Sequence, residues 1–456
     1  MILADLLFVS TDHSRVVSRL GGKDITQDYY LDRLSHLYSA LKKTPEEIWL
    51  LFSEDALDFS IALLALLCAG KKVVLAPNKQ PGTLATLAAS CDAVFAFDDF
   101  VFVEKPCEKN NNRLQASFKI PSTAIISIAT SGSSGAMKQI DKGLQSFVAE
   151  LDNLEKNWGE TVADAVFFST VSHQHIYGLL FRVLWPLRRG RVFMAQSHAY
   201  PESLFDEMSH CAVNANSKAV LISSPAHLTR IPEAIDGTRV NKTLAAVFSS
   251  GGPLPGEVAL DFSMRFGKCP IEIFGSTETG GIAWRQQSLN KSDISAIWQA
   301  FPDVELKVDE ESGCLAIRSP YSYQRNWFVM GDQADLLDGH RFVHRGRSDR
   351  IIKLEEKRLS LTAMEQHLMH HPWVAEGRLV LLSLDGRQML GAVLVLNAQG
   401  FEQLSQGKHA FNECLKKHLL ENFERVLLPR KWRYVTALPC NSQGKVVQQD
   451  LLDLFL

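Results

Sequence analysis

The chain has 456 residues, 46% of them hydrophobic and 22% charged; the length suits about three domains and the apolar material suffices for buried cores, which excludes a disordered or fibrous protein. A net charge of −3 argues against a nucleic-acid or other polyanion binder, and the longest apolar stretch, residues 61–69, is far shorter than the roughly 20 residues of a membrane helix. The start MILADLLFVSTDHS lacks the basic and apolar regions of a signal peptide, and eight cysteines (68, 91, 107, 211, 269, 314, 414, 440) stand singly without CxxC spacing, so a cytoplasmic globular protein with no membrane insertion is expected.

In chain order, Leu31, Leu34, Leu37, Tyr38 and Leu41 recur at helical spacing, and IWLLF at 48–52 reads as a buried strand. An apolar helix near Asp58–Ala69 is closed by Gly70, followed by a strand at Lys72–Ala76, a helix near Pro81–Ser90 and a strand at Ala93–Phe97. This alternation predicts a parallel sheet covered by helices. Residues 98–120 are polar and irregular and read as a surface connection. Strands are then expected near Thr123–Ala129, Ala165–Thr170, Lys218–Ser223, Thr243–Ser249 and Ile271–Phe274, with helices near Ser146–Asn157 and Pro255–Phe266. From about Asp338 the texture changes: DGHRFVHRG suggests a hairpin, followed by a helix near Thr362–His370 and strands near Arg378–Leu384 and Met389–Leu396. Charge changes with it. Residues 341–456 hold 17 Lys+Arg and 12 Asp+Glu, whereas residues 1–340 hold 31 and 39.

Three polar, glycine-rich segments directly follow predicted strands, where open α/β sheets bind ligands. The first, Thr130 to Lys138, reads TSGSSGAMK: its glycines permit a backbone nest for an anion, its hydroxyls add donors, and Lys138 adds a cation. Its GxxGxxK spacing is not that of a Walker A loop, and composition alone also fits a flexible linker. The second, SGGPL at 250–254, carries bare glycines against which a flat base could lie. The third, FGSTETGG at 274–281, offers Thr277 as a phosphate donor and Glu278 as a ligand for a hard cation such as Mg²⁺. Each alone also reads as a polar turn.

Taken together with HIYG at 175–178, GD at 331–332, GRSDRIIK at 346–353 and LPCNSQGK at 438–445, these segments resemble, in order, the ANL superfamily of adenylate-forming enzymes. The likeness runs from about residue 45 to the C terminus and points to the branch of acyl- or aryl-CoA synthetases and acyl- or aryl-carrier-protein ligases. It implies an α/β fold: a large N-terminal domain with parallel sheets, about 1–346, and a small mobile α+β lid, 347–456. It implies ATP and Mg²⁺ as cofactors, a small carboxylic acid as substrate, and CoA or an acyl carrier protein as thiol acceptor. Residue by residue, the resemblance assigns Thr130, Ser131, Gly132, Ser133, Ser134, Gly135 and Lys138 to the ATP phosphates. Gly251, Gly252 and Pro253 would sandwich adenine with Phe274 and Gly275, and Asp332 and Arg347 would address the ribose. Thr277 would contact the α-phosphate, Glu278 the metal, and His175 would gate the acyl pocket. Asp349 falls at the hinge about which the lid rotates between half-reactions, and Lys445 would bridge substrate carboxylate and α-phosphate.

The last role has a physical need. Carboxylate attack brings two anions together, and one charge pair at about 4 Å is worth about 4 kcal/mol at an effective dielectric near 20. Other readings stay open: a non-catalytic nucleotide- or acyl-binding protein of the same fold, a synthetase strictly using CoA, or a luciferase-like oxygenase. VSHQHIYGLL lacks the Asp by which peptide-synthetase domains hold an α-amine, favouring a substrate without one; Tyr177, Gly280, Gly281 and Ile282 are further candidates to border it, with core packing an equal account of Ile282. Glu356 stands where the family normally has glycine at the pantetheine entry. This leaves adenylation untouched and, with the basic lid (Lys416, Lys417, Arg425, Arg430, Lys431, Arg433), favours a carrier protein slightly over CoA. The HxH of His173 and His175 and the HxxHH of His367, His370 and His371 lack a convincing further ligand set, and no structural metal is expected.

Overall fold

The leucines at helical spacing form the helix Gln27–Leu41, whose first turn is capped by the Thr26 hydroxyl accepting from the Tyr29 amide. It buries Leu31, Leu34, Leu37 and Leu41 on one stripe. The next helix, Ala56–Cys68, starts at Asp55, whose carboxylate accepts from the Leu57 and Asp58 amides. Apolar on all sides, it is buried at every position but Asp58. The computed structural model describes residues 6–96, 118–131, 137–198, 200–215, 217–287, 297–324, 326–354, 357–384, 387–441 and 446–456. The expected surface connection at 98–120 lies almost wholly outside them.

The chain divides into two compact units: residues 1–306, 317–328 and 338–341, and residues 307–316, 329–337 and 342–456. In the first, the β-α-β rhythm of the opening hundred residues produces a sheet in the spatial order Ala93–Val94, Ile48–Leu51, Lys72–Leu75, Ile125–Ser131, Met137–Gly143. The first four strands are parallel and the fifth antiparallel. A second sheet of this unit has a parallel core of Ile271–Ser276, Leu244–Ser249, Lys218–Ser223, Ala165–Ser169, Val192–Met194 and Val16–Leu20. Antiparallel strands flank it: Lys23–Thr26 at one side, Gly280–Gln286 and Ile297–Ala300 at the other. The expected helices appear as Pro81–Ala88, Leu144–Trp158 and Gly256–Phe266.

The expected hairpin forms between Phe328–Leu336 and Arg341–Arg347, its strands counted mostly with the second unit and its turn, 338–341, with the first; the Asp338 carboxylate there accepts from the His340 and Arg341 amides. The helix Leu361–Met369 follows, capped by Ser360. Val374–Leu384 and Arg387–Leu396 pair antiparallel, and Lys431–Val435 adds in parallel. That third strand, and the helices Ala398–Ser405 and Lys408–Leu419, went unread in the sequence; buried Trp432 joins the strand to the unit's core, Phe411, Leu415 and Leu419 join the second helix, and partly buried Leu404 joins the first. No helix among the described residues is long and apolar enough to cross a membrane.

Candidate active site

The first glycine-rich segment closes a β-hairpin. Thr130 pairs with Lys138 and Ser131 with Met137, so the carboxyl end of a parallel strand runs straight into the loop. Gly132, Ser133, Ser134 and Gly135 lie outside the described residues, as does the Ser131 side chain; Lys138 is exposed at the base of the loop. Side chains alternate along a strand, so Lys138, Ile140 and Lys142 share one face. Lys142 is fully buried, and its Nζ donates to the Thr277 carbonyl at 3.2 Å and the Tyr321 carbonyl at 2.6 Å. This contact ties the strand that follows the first segment to the third segment, across 135 residues of sequence.

The third segment is the turn of a second hairpin, between Ile271–Ser276 and Gly280–Gln286. Glycine is obligatory at 275, where a Cβ would lie 2.1 Å from the Gly280 carbonyl oxygen. The Ser276 amide donates to the Thr279 hydroxyl at 3.0 Å, which tightens the turn and leaves Thr277 and Glu278 half-buried at its tip. Behind it, the Gly281 amide donates to Glu150 Oε1 at 2.6 Å. Burial pushes the Glu150 carboxyl up to about 7 and the Lys142 ammonium down to about 8. Phe274 packs on Trp298 with ring centroids 5.2 Å apart.

The second segment leaves the neighbouring parallel strand, Leu244–Ser249. The Ser250 hydroxyl donates to the Ile273 carbonyl at 2.9 Å, and buried Glu272, paired with Arg285, accepts from the Leu254 amide. Gly251, with φ +96°, adopts a backbone that favours glycine. Gly251, Gly252 and Pro253 are exposed, and open space surrounds the position of a Cβ on Gly252. A flat group therefore has access to this backbone.

His175 precedes the single helical turn Ile176–Gly178, which continues into a π-helical turn, Leu179–Leu184; such turns recur at functional sites. His173 is a core histidine instead: its Nε2 donates to the Ser53 carbonyl at 2.9 Å, and burial holds its pKa well below the ordinary value, hence neutral. Tyr177 is half-buried beside Phe181, with ring centroids 4.8 Å apart. Ile282 is fully buried and packs as core.

In the second unit, Asp332 is buried on its strand and faces Arg347 in register. His344 Nε2 donates to Asp332 Oδ1 at 2.9 Å, and Arg347 Nη1 lies 3.6 Å from Oδ2. His344, one alternation before the motif that contains Arg347, was not singled out in the sequence. Asp349 sits in the 3₁₀ turn Ser348–Arg350, its side chain outside the description. Glu356 and Lys445 lie outside the described residues too; Cys440 and Val446, flanking the latter's loop, form an isolated bridge. His367 and His418 each donate from Nε2 to the other's carbonyl, at 3.0 and 2.8 Å. With Glu421 they place possible metal-ligand atoms within 4.8 Å, yet their rings stack at 7°, so the in-plane lone pairs do not converge on one ion. Of the basic lid residues, Lys417, Arg425, Arg430 and Lys431 are exposed. Lys416 pairs with Glu413, and Arg433 is committed to the Leu454 carbonyl.

A family profile described as AMP-binding enzyme matches residues 97–320. The D-alanine–D-alanyl carrier protein ligase of Bacillus cereus (strain AH187) is 24% identical over 369 residues, covering 71% of this chain and 69% of that protein. The 4-coumarate–CoA ligase of Cereibacter sphaeroides is 24% identical over 327 residues, covering 71% and 70%. The ATP-bound RpMatB–BxBclM chimera B1 shares the fold with a TM-score of 0.80 at 16% identity, over 99% of this chain and 98% of that one. The chain is thus similar to the adenylate-forming enzymes of the ANL superfamily, through its AMP-binding region and its fold. The relatives it resembles are acid ligases, one of a carrier protein and one of CoA.

Proposed function

We propose that the protein activates a small aryl or acyl carboxylic acid with ATP and passes the acyl group to a phosphopantetheine thiol. In the first step a carboxylate oxygen bonds to the α-phosphorus and pyrophosphate leaves. In the second the thiol sulfur bonds to the acyl carbon, AMP leaves, and the thiol proton is released. The observation that carries this reading is the hydrogen bond from Lys142 to Thr277, which joins the phosphate-loop hairpin to the turn bearing Thr277 and Glu278. Beside that turn, on the adjacent strand, lies the open Gly251–Pro253 backbone.

In this reading Thr130 to Lys138 hold the β- and γ-phosphates, Gly251–Pro253 and Phe274 hold adenine, and Thr277 donates to the α-phosphate. Asp332, with Arg347 near, accepts from the ribose hydroxyls. Glu278 suits Mg²⁺, which takes one or two carboxylates beside phosphate oxygens; when bound, the ion neutralises charge on the pyrophosphate. His175 and Tyr177 border the acyl group. The role of Lys445 rests on its LP…GK context, and Lys445→Ala is expected to cripple acyl-AMP formation while sparing transfer from supplied acyl-AMP.

The test is carboxylate-dependent exchange of labelled pyrophosphate into ATP across a library of aryl and fatty acids. Exchange with one acid class supports the reading; none with any acid favours a binding protein. For the acceptor, we infer a slight preference for an acidic carrier protein over CoA, supported by the four exposed cations Lys417, Arg425, Arg430 and Lys431. Competition between CoA and a phosphopantetheinylated carrier at low and high salt checks it. CoA prevailing at both, or unchanged carrier loading after Lys417→Glu with Arg430→Glu, contradicts the docking idea.

A further inference from the structure

Lys142 belongs to none of the motifs, yet its side chain is the most buried cation near the turn that carries Thr277 and Glu278. Its exposure is 0%. A buried ammonium is costly unless its charge is balanced and its N–H groups are satisfied. Here two of its three N–H donors go to main-chain carbonyls of other segments, Thr277 and Tyr321. Glu150 and Glu278 lie within electrostatic reach and balance the charge.

Glu150 does the complementary work. It reaches the same loop from the helix Leu144–Trp158 and accepts from the Gly281 amide at 2.6 Å. The loop is therefore held at both ends: a cation on the carbonyl of residue 277 and a carboxylate on the amide of residue 281. Between these two anchors stand the Thr277 hydroxyl and the Glu278 carboxylate. The anchors sit on consecutive elements, since the strand Met137–Gly143 leads directly into the helix that bears Glu150. That strand also carries Lys138, four residues before Lys142 on the same face.

We propose that Lys142 is a positioning residue for carboxylate activation: by clamping the Thr277 carbonyl, opposite the Glu150 clamp on Gly281, it fixes where the Thr277 hydroxyl and Glu278 carboxylate stand relative to the phosphate loop. The inference rests on the adenylation reading above. A purely structural lysine behaves differently. Its loss lowers stability, because removing one partner leaves Glu150 buried without its cation, but leaves the kcat of the folded fraction unchanged; a loss of kcat in folded protein marks the orienting role.

The experiment uses the full chain with Lys142→Met. Thermal melting is expected below the wild-type temperature, because Glu150 and two carbonyls lose their partner, and the kinetics are read at a temperature where the variant stays folded. The kcat of pyrophosphate exchange is expected to fall about 10- to 100-fold, the size of effect produced by small misplacements of catalytic groups, with KM for ATP changed far less. Amide hydrogen exchange of the peptide spanning residues 277–281 is read in parallel and is expected to accelerate. If Lys142→Met does not fold, Lys142→Ala is used, and ethylammonium is expected to restore part of kcat while tetramethylammonium, which has no N–H donor, is not. Unchanged amide exchange in a folded variant, or unchanged kcat, overturns the proposal. Wild-type protein that exchanges no pyrophosphate with any acid refutes the adenylation reading instead, and the amide exchange still reports whether the clamp exists.

Discussion

The Thr277–Gly281 turn and the Asp332 cluster are held in contrasting ways. The turn depends on two fully buried, oppositely charged side chains that come from 135 and 131 residues away in sequence. Asp332 is held by His344 and Arg347, which follow it by 12 and 15 residues on the paired strand, with Arg347 half-exposed. A long-range clamp in a low-dielectric interior resists displacement; a pair of partners at a water-facing strand adjusts at little cost. Under the proposed function, this suits the turn to stabilising charge that develops during reaction and the Asp332 cluster to holding a ground-state ligand.

Kinetics of single variants sharpen or break this division. The largest effect is expected at the turn. Thr277→Val or Glu278→Gln should lower the kcat of pyrophosphate exchange about 100- to 1,000-fold with KM for ATP little changed, the pattern of a contact made mainly in the transition state. An intermediate effect is expected at Asp332→Asn: KM for ATP higher by about tenfold and kcat within about threefold, because a ground-state hydrogen bond to charge is lost. Collapse of kcat at unchanged KM there would erase the distinction between the two regions.

The smallest effect bears on stability alone. Burial raises Glu150 from 4.5 to about 7, so the folded protein holds this proton where the unfolded chain has released it. Its contribution is full below pH 4.5 and is lost as pH rises through about 7. Lys142, lowered from 10.5 to about 8, acts with the opposite slope in a higher window: there the unfolded chain holds the extra proton and stability rises with pH. Glu150→Gln keeps an acceptor for the Gly281 amide and removes the first slope. Denaturant titrations from pH 5 to 7 should therefore show a flatter profile for the variant, by at most about 3 kcal/mol over the window. A wild-type slope in the variant would mean that Glu150 ionises as readily folded as unfolded.

The same contrast accounts for what could be read in the sequence. Thr277 and Glu278 sit in a short motif after a strand whose apolar run was plain, Ile271–Ser276, which appears within two residues of expectation; Asp332 was marked by its GD motif alone, on the strand Phe328–Leu336 that the apolar pattern did not announce. Lys142 and Glu150 carry no local signal beyond parity. Lys142 lies on the inward face of its strand with Ile140, and Glu150 on the buried stripe of its helix with Phe147, Leu151 and Leu154. A charged residue on an apolar face was the clue available, but its partners, a carbonyl and an amide on one distant turn, are fixed only by the tertiary fold. The second unit's last helices and its parallel strand were missed for a related reason: in KWRYV only Trp432 is buried, so the alternation is too weak to mark a strand without its neighbour.

The most direct test of the account is pyrophosphate exchange by the wild-type chain with MgATP, run with and without each acid of an aryl and fatty-acid library. The account predicts exchange that requires both ATP and one class of carboxylic acid, and that falls to background in Thr277→Val. Exchange that proceeds equally without any carboxylate, or none with any member of the library, would contradict it.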